Sequence, residues 1–161
     1  MSVDKVVVRA PATSANMGPG FDSLGLAMEL RDEVTFERAA DGESRAITVD
    51  SDGTQVSLGI PTGRDNLAIR AFATAFRDAG QTAPAVHVRI FNRIPVARGL
   101  GSSAAAIVAG LMAADAFMGI APDLQRLMNT AARIERHPDN TAACILGGIT
   151  ASSFVGARVL W

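Results

Sequence analysis

Lysine is nearly missing from this 161-residue sequence: Lys5 is the only one, and every other basic side chain apart from two histidines is arginine. A phosphate-binding loop built around a lysine is thereby excluded. Cysteine is as scarce. Cys144 stands alone, so no disulfide can close within the chain. The first residues alternate charge with valine and do not present the basic start, apolar stretch and small-residue cleavage site of a secretory signal. A cytosolic protein is expected. Charged residues make up only 19%, with a formal net charge of -1 and both signs mixed along the chain. No electrostatic footprint for nucleic acid results. The longest apolar run, Ala104 to Ala114, falls well short of the roughly 20 residues that a bilayer span requires. No membrane partner is expected either.

What is present is enough apolar material for the core of one domain, at 48% hydrophobic residues. Val6 to Arg9 reads as a short strand ending at Pro11, followed by a polar loop from Thr13 to Gly20. Leu24 to Phe36 and Ala46 to Val49 read as β segments, and Asp41-Gly42 between them is a turn signal, which predicts adjacent antiparallel strands. Asp65 or Asn66 caps a helix that carries Leu67, Ala71, Phe72, Ala75 and Phe76 on one face and stops at Gly80. Val86, Val88 and Ile90 alternate with His87, Arg89 and Phe91, the pattern of a strand with one buried face. An Ala-rich run from Ser102 to Phe117, apolar nearly all round, predicts a central helix. Pro122 to Ile134 predicts a further helix, Thr141 to Leu146 a short apolar turn, and Ile149 to Phe154 a strand that Val155 to Trp161 folds back on. The sum is an α+β protein, a two-layer sandwich of a mainly antiparallel sheet and helices.

Three stretches carry chemistry. In Arg98-Gly99-Leu100-Gly101-Ser102-Ser103 a glycine loop enters the first turn of the buried helix. Unpaired N–H groups at a helix start, with glycines allowing close approach, favour an anion. A hydroxyl at Ser103 suits Mg²⁺, and Ser102 either caps the helix or donates to a phosphate oxygen; as a plain strand-to-helix turn, the same residues need no ligand. In Pro11-Ala12-Thr13-Ser14-Ala15-Asn16-Met17-Gly18-Pro19-Gly20-Phe21-Asp22, Asn16 and Asp22 are placed to hold an ammonium or a hydroxyl. The plainer alternative is a surface turn that Phe21 staples to the core. In Glu135-Arg136-His137-Pro138-Asp139-Asn140 a carboxylate, an imidazole and an amide crowd one loop, where they either share a substrate and a metal or serve as helix caps.

Taken together and in this order, the three stretches resemble the GHMP small-molecule kinase superfamily. The wording of Pro11 to Asp22 and of His137 to Asn140 is similar to its homoserine kinase family in particular. That resemblance implies the ribosomal protein S5 domain 2-like fold of the GHMP amino-terminal domain. It also implies phosphorylation of the side-chain hydroxyl of L-homoserine by ATP with Mg²⁺, in threonine biosynthesis. Arg98 and Gly99 to Ser103, which include Leu100, Gly101 and Ser102, would then cradle the ATP phosphates. Asn66 would sit near the adenine, and Ser103 and Glu135 would hold Mg²⁺. Asn16, Asp22, His137, Asp139 and Asn140 would line the homoserine pocket, the last three beside the reacting atoms. Asn140 stands where related kinases have an aspartate base, and an amide cannot take a proton. Another GHMP substrate alcohol and a nucleotide-binding remnant without activity are the alternatives.

Two departures from the family pattern bear on this. Arg136 replaces a family glycine, which is costly if that position takes a positive φ and would threaten to turn Glu135 aside. The family's second domain, with a further phosphate loop and arginines for the substrate carboxylate, has no counterpart in residues 1–161. The expectation is therefore a truncated amino-terminal domain with little or no activity of its own, and an apolar face that favours a homodimer or other self-association.

Overall fold

The computed structural model describes residues 3–40, 47–51 and 60–161. Along the chain these form β1 (Lys5–Ala15), β2 (Leu24–Arg38), β3 (Ile47–Ser51), α1 (Leu67–Asp78), β4 (Val86–Asn92), α2 (Ser102–Met118), α3 (Leu124–Glu135), α4 (Asp139–Leu146), β5 (Ile149–Ala151), β6 (Ser153–Val155) and β7 (Arg158–Leu160). The main sheet has the order β1-β2-β4-β3, with β5 pairing the start of β2, and β6 and β7 form a separate hairpin. The expected two-layer α+β sandwich is what forms.

Alternation decides which face is covered. Val8, Ala10 and Ala12 on β1, Val34 and Phe36 on β2, and Val86, Val88 and Ile90 on β4 are all buried, whereas Val7, Arg9, His87 and Arg89 are exposed. The helices lie against the first set. In α1 the buried side chains are Ala68, Ile69, Ala71, Phe72, Ala75 and Phe76, a stripe at helical spacing. Phe72 ties the layers together, stacked on Phe36 of β2 at 5.2 Å between ring centroids and edge-on to Phe117 of α2 at 5.5 Å. Helix α2 is apolar on nearly every side because sheet and helices surround it.

Three readings of the strands are corrected. Ile149 to Phe154 is not one strand: Ile149–Ala151 pairs with β2, and Ser153–Val155 forms the hairpin with Arg158–Leu160. β1 does not stop at Pro11 but continues to Ala15, with a register shift between Pro11 and Thr13. A proline is tolerable because β1 is an edge strand, where one side of the ladder needs no N–H donor. β3 is not a hairpin partner of β2; it pairs in parallel with β4, from Ile47 opposite Val88 to Ser51 opposite Asn92. Parallel strands need a crossover, and α1 supplies it between β3 and β4. Asp41-Gly42 and Ala46 lie outside the described residues. The apolar turn from Thr141 to Leu146 is helical, as part of α4. Among the described residues no helix is long and apolar enough to cross a membrane.

Candidate functional site

The start of α2 is the centre of the site. Gly101 occupies the N-cap with φ 64 and brings no side chain to cap the helix. Ser102 is the first helical residue and not the cap, so the first N–H groups of α2 keep no side-chain partner. Ala97, Gly99 and Gly101 have φ of 56, 71 and 64. Left-handed residues at every second position curl a backbone so that its N–H groups converge on one concave side, which suits an anion. Ala97 adopts this conformation against its side chain, at a cost of about 1–2 kcal/mol. Gly101 has no alternative: a Cβ there would lie 1.9 Å from the Thr13 hydroxyl oxygen.

Thr13 also explains how distant stretches meet. Fully buried on β1, it donates its N–H to the Leu100 carbonyl at 3.0 Å and its hydroxyl to Oδ1 of Asn140 at 2.8 Å. The glycine loop and the start of α4 are thus pinned to one residue. A second link joins the same regions, since Nδ1 of His137 lies 3.5 Å from Oδ1 of Asp22, both roughly half exposed. Asn16, at φ 59, closes its own loop by accepting the N–H of Asp22 on Oδ1 at 2.8 Å. α4 approaches β2 so closely that a Cβ on Gly25 would stand 2.3 Å from the Asp139 carbonyl oxygen.

A cavity of about 550 Å³ opens at this junction. Among the residues expected at the site, Asn16, Asn66, Gly99, Leu100, Gly101, Ser102, Ser103 and Asn140 line it; Asp22, Arg98, Glu135, His137 and Asp139 do not. Arg98 is exposed, whereas Asp139 is 1% exposed and accepts the Asn140 N–H at 2.7 Å. Asn66 has a structural duty as well. Its Oδ1 caps α1 by accepting from Ala68 and Ile69, and its Nδ2 donates to the Pro61 carbonyl at 2.8 Å. Phe21 does not staple its loop to the core; it is 74% exposed.

Glu135, at the end of α3, accepts a hydrogen bond from the Ser103 hydroxyl. Burial pushes its carboxyl above the ordinary glutamate value; the Ser103 bond and His137 oppose that, and Asp139 adds to it. Arg136 closes α3 in the left-handed region at φ 78, so this position is one where glycine is at ease. Glu135 is nonetheless not turned aside. No cluster of three or more acidic, histidine or cysteine side chains suited to a metal occurs among the described residues. One carboxylate and one hydroxyl fit Mg²⁺ only in the manner usual for that ion, which takes few protein ligands and fills the remainder with water and phosphate oxygens.

Two residues of the site went unread in the sequence. Thr13 lay inside a quoted motif but was taken as loop. Asp32 is 5% exposed and lines the cavity; its Oδ1 accepts the N–H groups of Arg93 and Ile94 at 2.6 and 2.8 Å, and its Oδ2 that of the Asn92 side chain at 2.9 Å. The signal for it was register. Asp32, Val34 and Phe36 share one face of β2, so an acid stood where only apolar residues were expected.

Comparison with known proteins agrees with this geometry. Residues 66–148 match the family described as GHMP kinases N terminal domain. A homoserine kinase of Moorella thermoacetica is 44% identical over 154 residues, covering 96% of this chain and 50% of that protein. The crystal structure of homoserine kinase from Cytophaga hutchinsonii superposes with a TM-score of 0.81 at 28% identity, over 99% of this chain and 52% of that one. The L. major mevalonate kinase complexed with R-mevalonate, at 13% identity, shares the fold with a TM-score of 0.72, over 99% of this chain and 54% of that one. The chain spans about half the length of the curated relatives it matches. With the family match extending from the cap of α1 through the glycine loop to the end of α4, the chain belongs to the GHMP kinase N-terminal domain family.

Proposed function

We propose that this chain carries the nucleotide site, and part of the acceptor site, of a kinase that transfers the terminal phosphoryl group of ATP to the side-chain hydroxyl of L-homoserine. The product is O-phospho-L-homoserine, on the route to threonine, in the cytosol. The observation that carries the reading is the uncapped start of α2 opening onto a cavity, with the Ser103–Glu135 pair at its edge. The names of the relatives support the substrate.

In this reading the N–H groups from Gly99 to Ser103 hold the phosphates, helped by the positive end of the α2 dipole. Lys5 plays no part, since it pairs with Glu37 at 3.4 Å across β1 and β2. Ser103 and Glu135 hold Mg²⁺, which neutralises phosphate charge when bound. Asn16, Asp22, His137 and Asn140 face the acceptor, with the Asp22 carboxylate suited to its ammonium group. Asn140 acts as a positioning amide: Thr13 occupies its Oδ1, leaving Nδ2 to donate. Asp139 is buried and bonded to the Asn140 N–H, so it orders the loop and does not contact substrate. With the amide of Asn140 where related kinases have an aspartate base, transfer relies on alignment and charge neutralisation, which a loose phosphoryl-transfer transition state permits.

Isothermal calorimetry on the 161-residue chain tests this. Mg-ATP binds, and Ser103→Ala and Glu135→Gln each weaken binding about tenfold, the equivalent of roughly 1.4 kcal/mol. A folded sample that ignores millimolar Mg-ATP overturns the reading. Homoserine, but not mevalonate, adds protection against thermal unfolding. In an ADP-release assay the chain alone turns over homoserine slowly or not at all, because the relatives are about twice as long; near-normal turnover would show that no second domain is needed.

A further inference from the structure

The cavity is chemically lopsided. Its loop end offers N–H donors, and its other end is walled by apolar side chains, among them Val34, Ile60, Leu67 and Ile90. Among the described residues that line it, Asp32 is the one that is charged. A triphosphate is excluded from the neighbourhood of a buried carboxylate by like charge, so a nucleotide bound with its phosphates on the glycine loop has its base toward Asp32. That orientation rests on the ATP reading given above.

Hydrogen-bond accounting then singles out one acceptor. Asn66, the residue expected near the base, has its Oδ1 committed to Ala68 and Ile69 and its Nδ2 to Pro61. It has no oxygen to spare for an amine. An ionised carboxylate offers about four lone-pair sites, and Asp32 uses three: two on Oδ1 for Arg93 and Ile94, one on Oδ2 for Asn92. A vacant site on Oδ2 is therefore the strongest acceptor at the apolar end. Burial raises the Asp32 carboxyl above its ordinary value, and the three donors and the Arg93 charge offset this only in part, so a further N–H donor is gained on a poorly solvated charge.

We propose that Asp32 is a specificity-determining residue that accepts a hydrogen bond from the exocyclic 6-amino group of the purine, selecting adenine over bases with a carbonyl there. A carbonyl at that position meets a carboxylate with no proton between them, and the pair of acceptors repels.

The test compares ATP with ITP, in which a carbonyl replaces the 6-amino group and N1 carries a proton, as magnesium complexes by calorimetry on the 161-residue chain. ATP is expected to bind about 10- to 100-fold tighter, the range for a hydrogen bond to a charged group. Equal affinities overturn the role of Asp32 while leaving the ATP reading intact. Binding of neither overturns both. Asp32→Asn combined with Asn92→Asp keeps a donor-acceptor pair between the two positions but turns the cavity-facing acceptor into a donor. This variant, if folded, brings the ATP:ITP ratio to one or below, an inversion that general loosening of the loop would not produce. A folded variant that keeps the original ratio refutes the proposal, and if the variant fails to fold, the comparison on the unaltered chain decides.

Discussion

Replacing Gly101 by alanine puts the geometry at the start of α2 to a direct test. The residue sits at φ 64, where an L side chain costs about 1–2 kcal/mol. Its new Cβ would lie 1.9 Å from Oγ1 of Thr13 and 3.1 Å from both Cβ and the carbonyl oxygen of Thr13. Thr13 is fully buried, so it cannot swing into solvent. It must give up its 2.8 Å bond to Asn140, a further loss of about 0.5–1.5 kcal/mol. Gly101→Ala should therefore destabilise by about 2–3 kcal/mol, a fall in Tm of roughly 5–10 °C for a chain of this size. Thr13→Ala alone loses the same bond and some packing. In the double variant the bond is lost only once and the worst overlap is gone, so its destabilisation should fall short of the sum of the singles by about 1 kcal/mol. Urea denaturation of the four proteins measures this cycle. Additivity within about 0.3–0.5 kcal/mol, the behaviour of independent sites, would refute the contact.

Three other outcomes are expected. Arg136→Gly should stabilise the chain by roughly 1 kcal/mol, because the residue ends α3 in the left-handed region at φ 78, and urea denaturation should show it; an unchanged midpoint would mean that the arginine side chain makes up the strain. Asp115, 1% exposed with Oδ2 bonded to Arg126 and Oδ1 without a partner, has its carboxyl raised above the ordinary 3.8 chiefly by burial. The folded state thus holds a proton that the unfolded chain has released, so the stability this group contributes is full below 3.8 and is lost as pH rises through its folded value. The stability of the unaltered chain relative to Asp115→Asn should accordingly fall with rising pH above about 4, and a gap that grows with pH would contradict the assignment. Leu146, Ile149, Phe154, Val155, Leu160 and Trp161 are exposed apolar side chains at the end of the chain. Light scattering should show concentration-dependent association that Val155→Lys reduces, and a clean monomer would count against it.

How much of this was legible depended on how local the cause was. The α1 stripe, the β4 alternation and the buried character of α2 follow from spacing alone, and all three elements form where they were read. The left-handed turn at Arg136 was foreshadowed by the family glycine, a matter of one residue's backbone. What escaped was non-local. The partner of β3 was misread because a parallel ladder is made only after a whole helix has intervened, and nothing within Ile47–Ser51 names its neighbour. Thr13 looked like loop because Pro11 was read as a stop, and a proline on an edge strand is not one. Asp32 was passed over because a single acid in a strand is unremarkable until three donors from the β4 end of the sheet converge on it.

The absence of a loop lysine now acquires a structural counterpart. In the proposed reading a lysine would bring one mobile positive charge to the phosphates, whereas this site uses backbone geometry, holding Ala97 and Gly101 in left-handed conformations and leaving the start of α2 without a side-chain cap. Each of these lowers the stability of the empty protein and each removes a competitor for the ligand: a serine side chain on the first amides would have to be displaced before a phosphate could bind. Because N–H dipoles neutralise less charge than an ammonium does, the proposed reading gives the acid at Glu135, itself half-buried, a role as a seat for a cation that the phosphates bring with them. On that reading, strain in the loop, the bare helix end and the half-buried glutamate are three consequences of one choice, the use of main chain in place of a charged side chain.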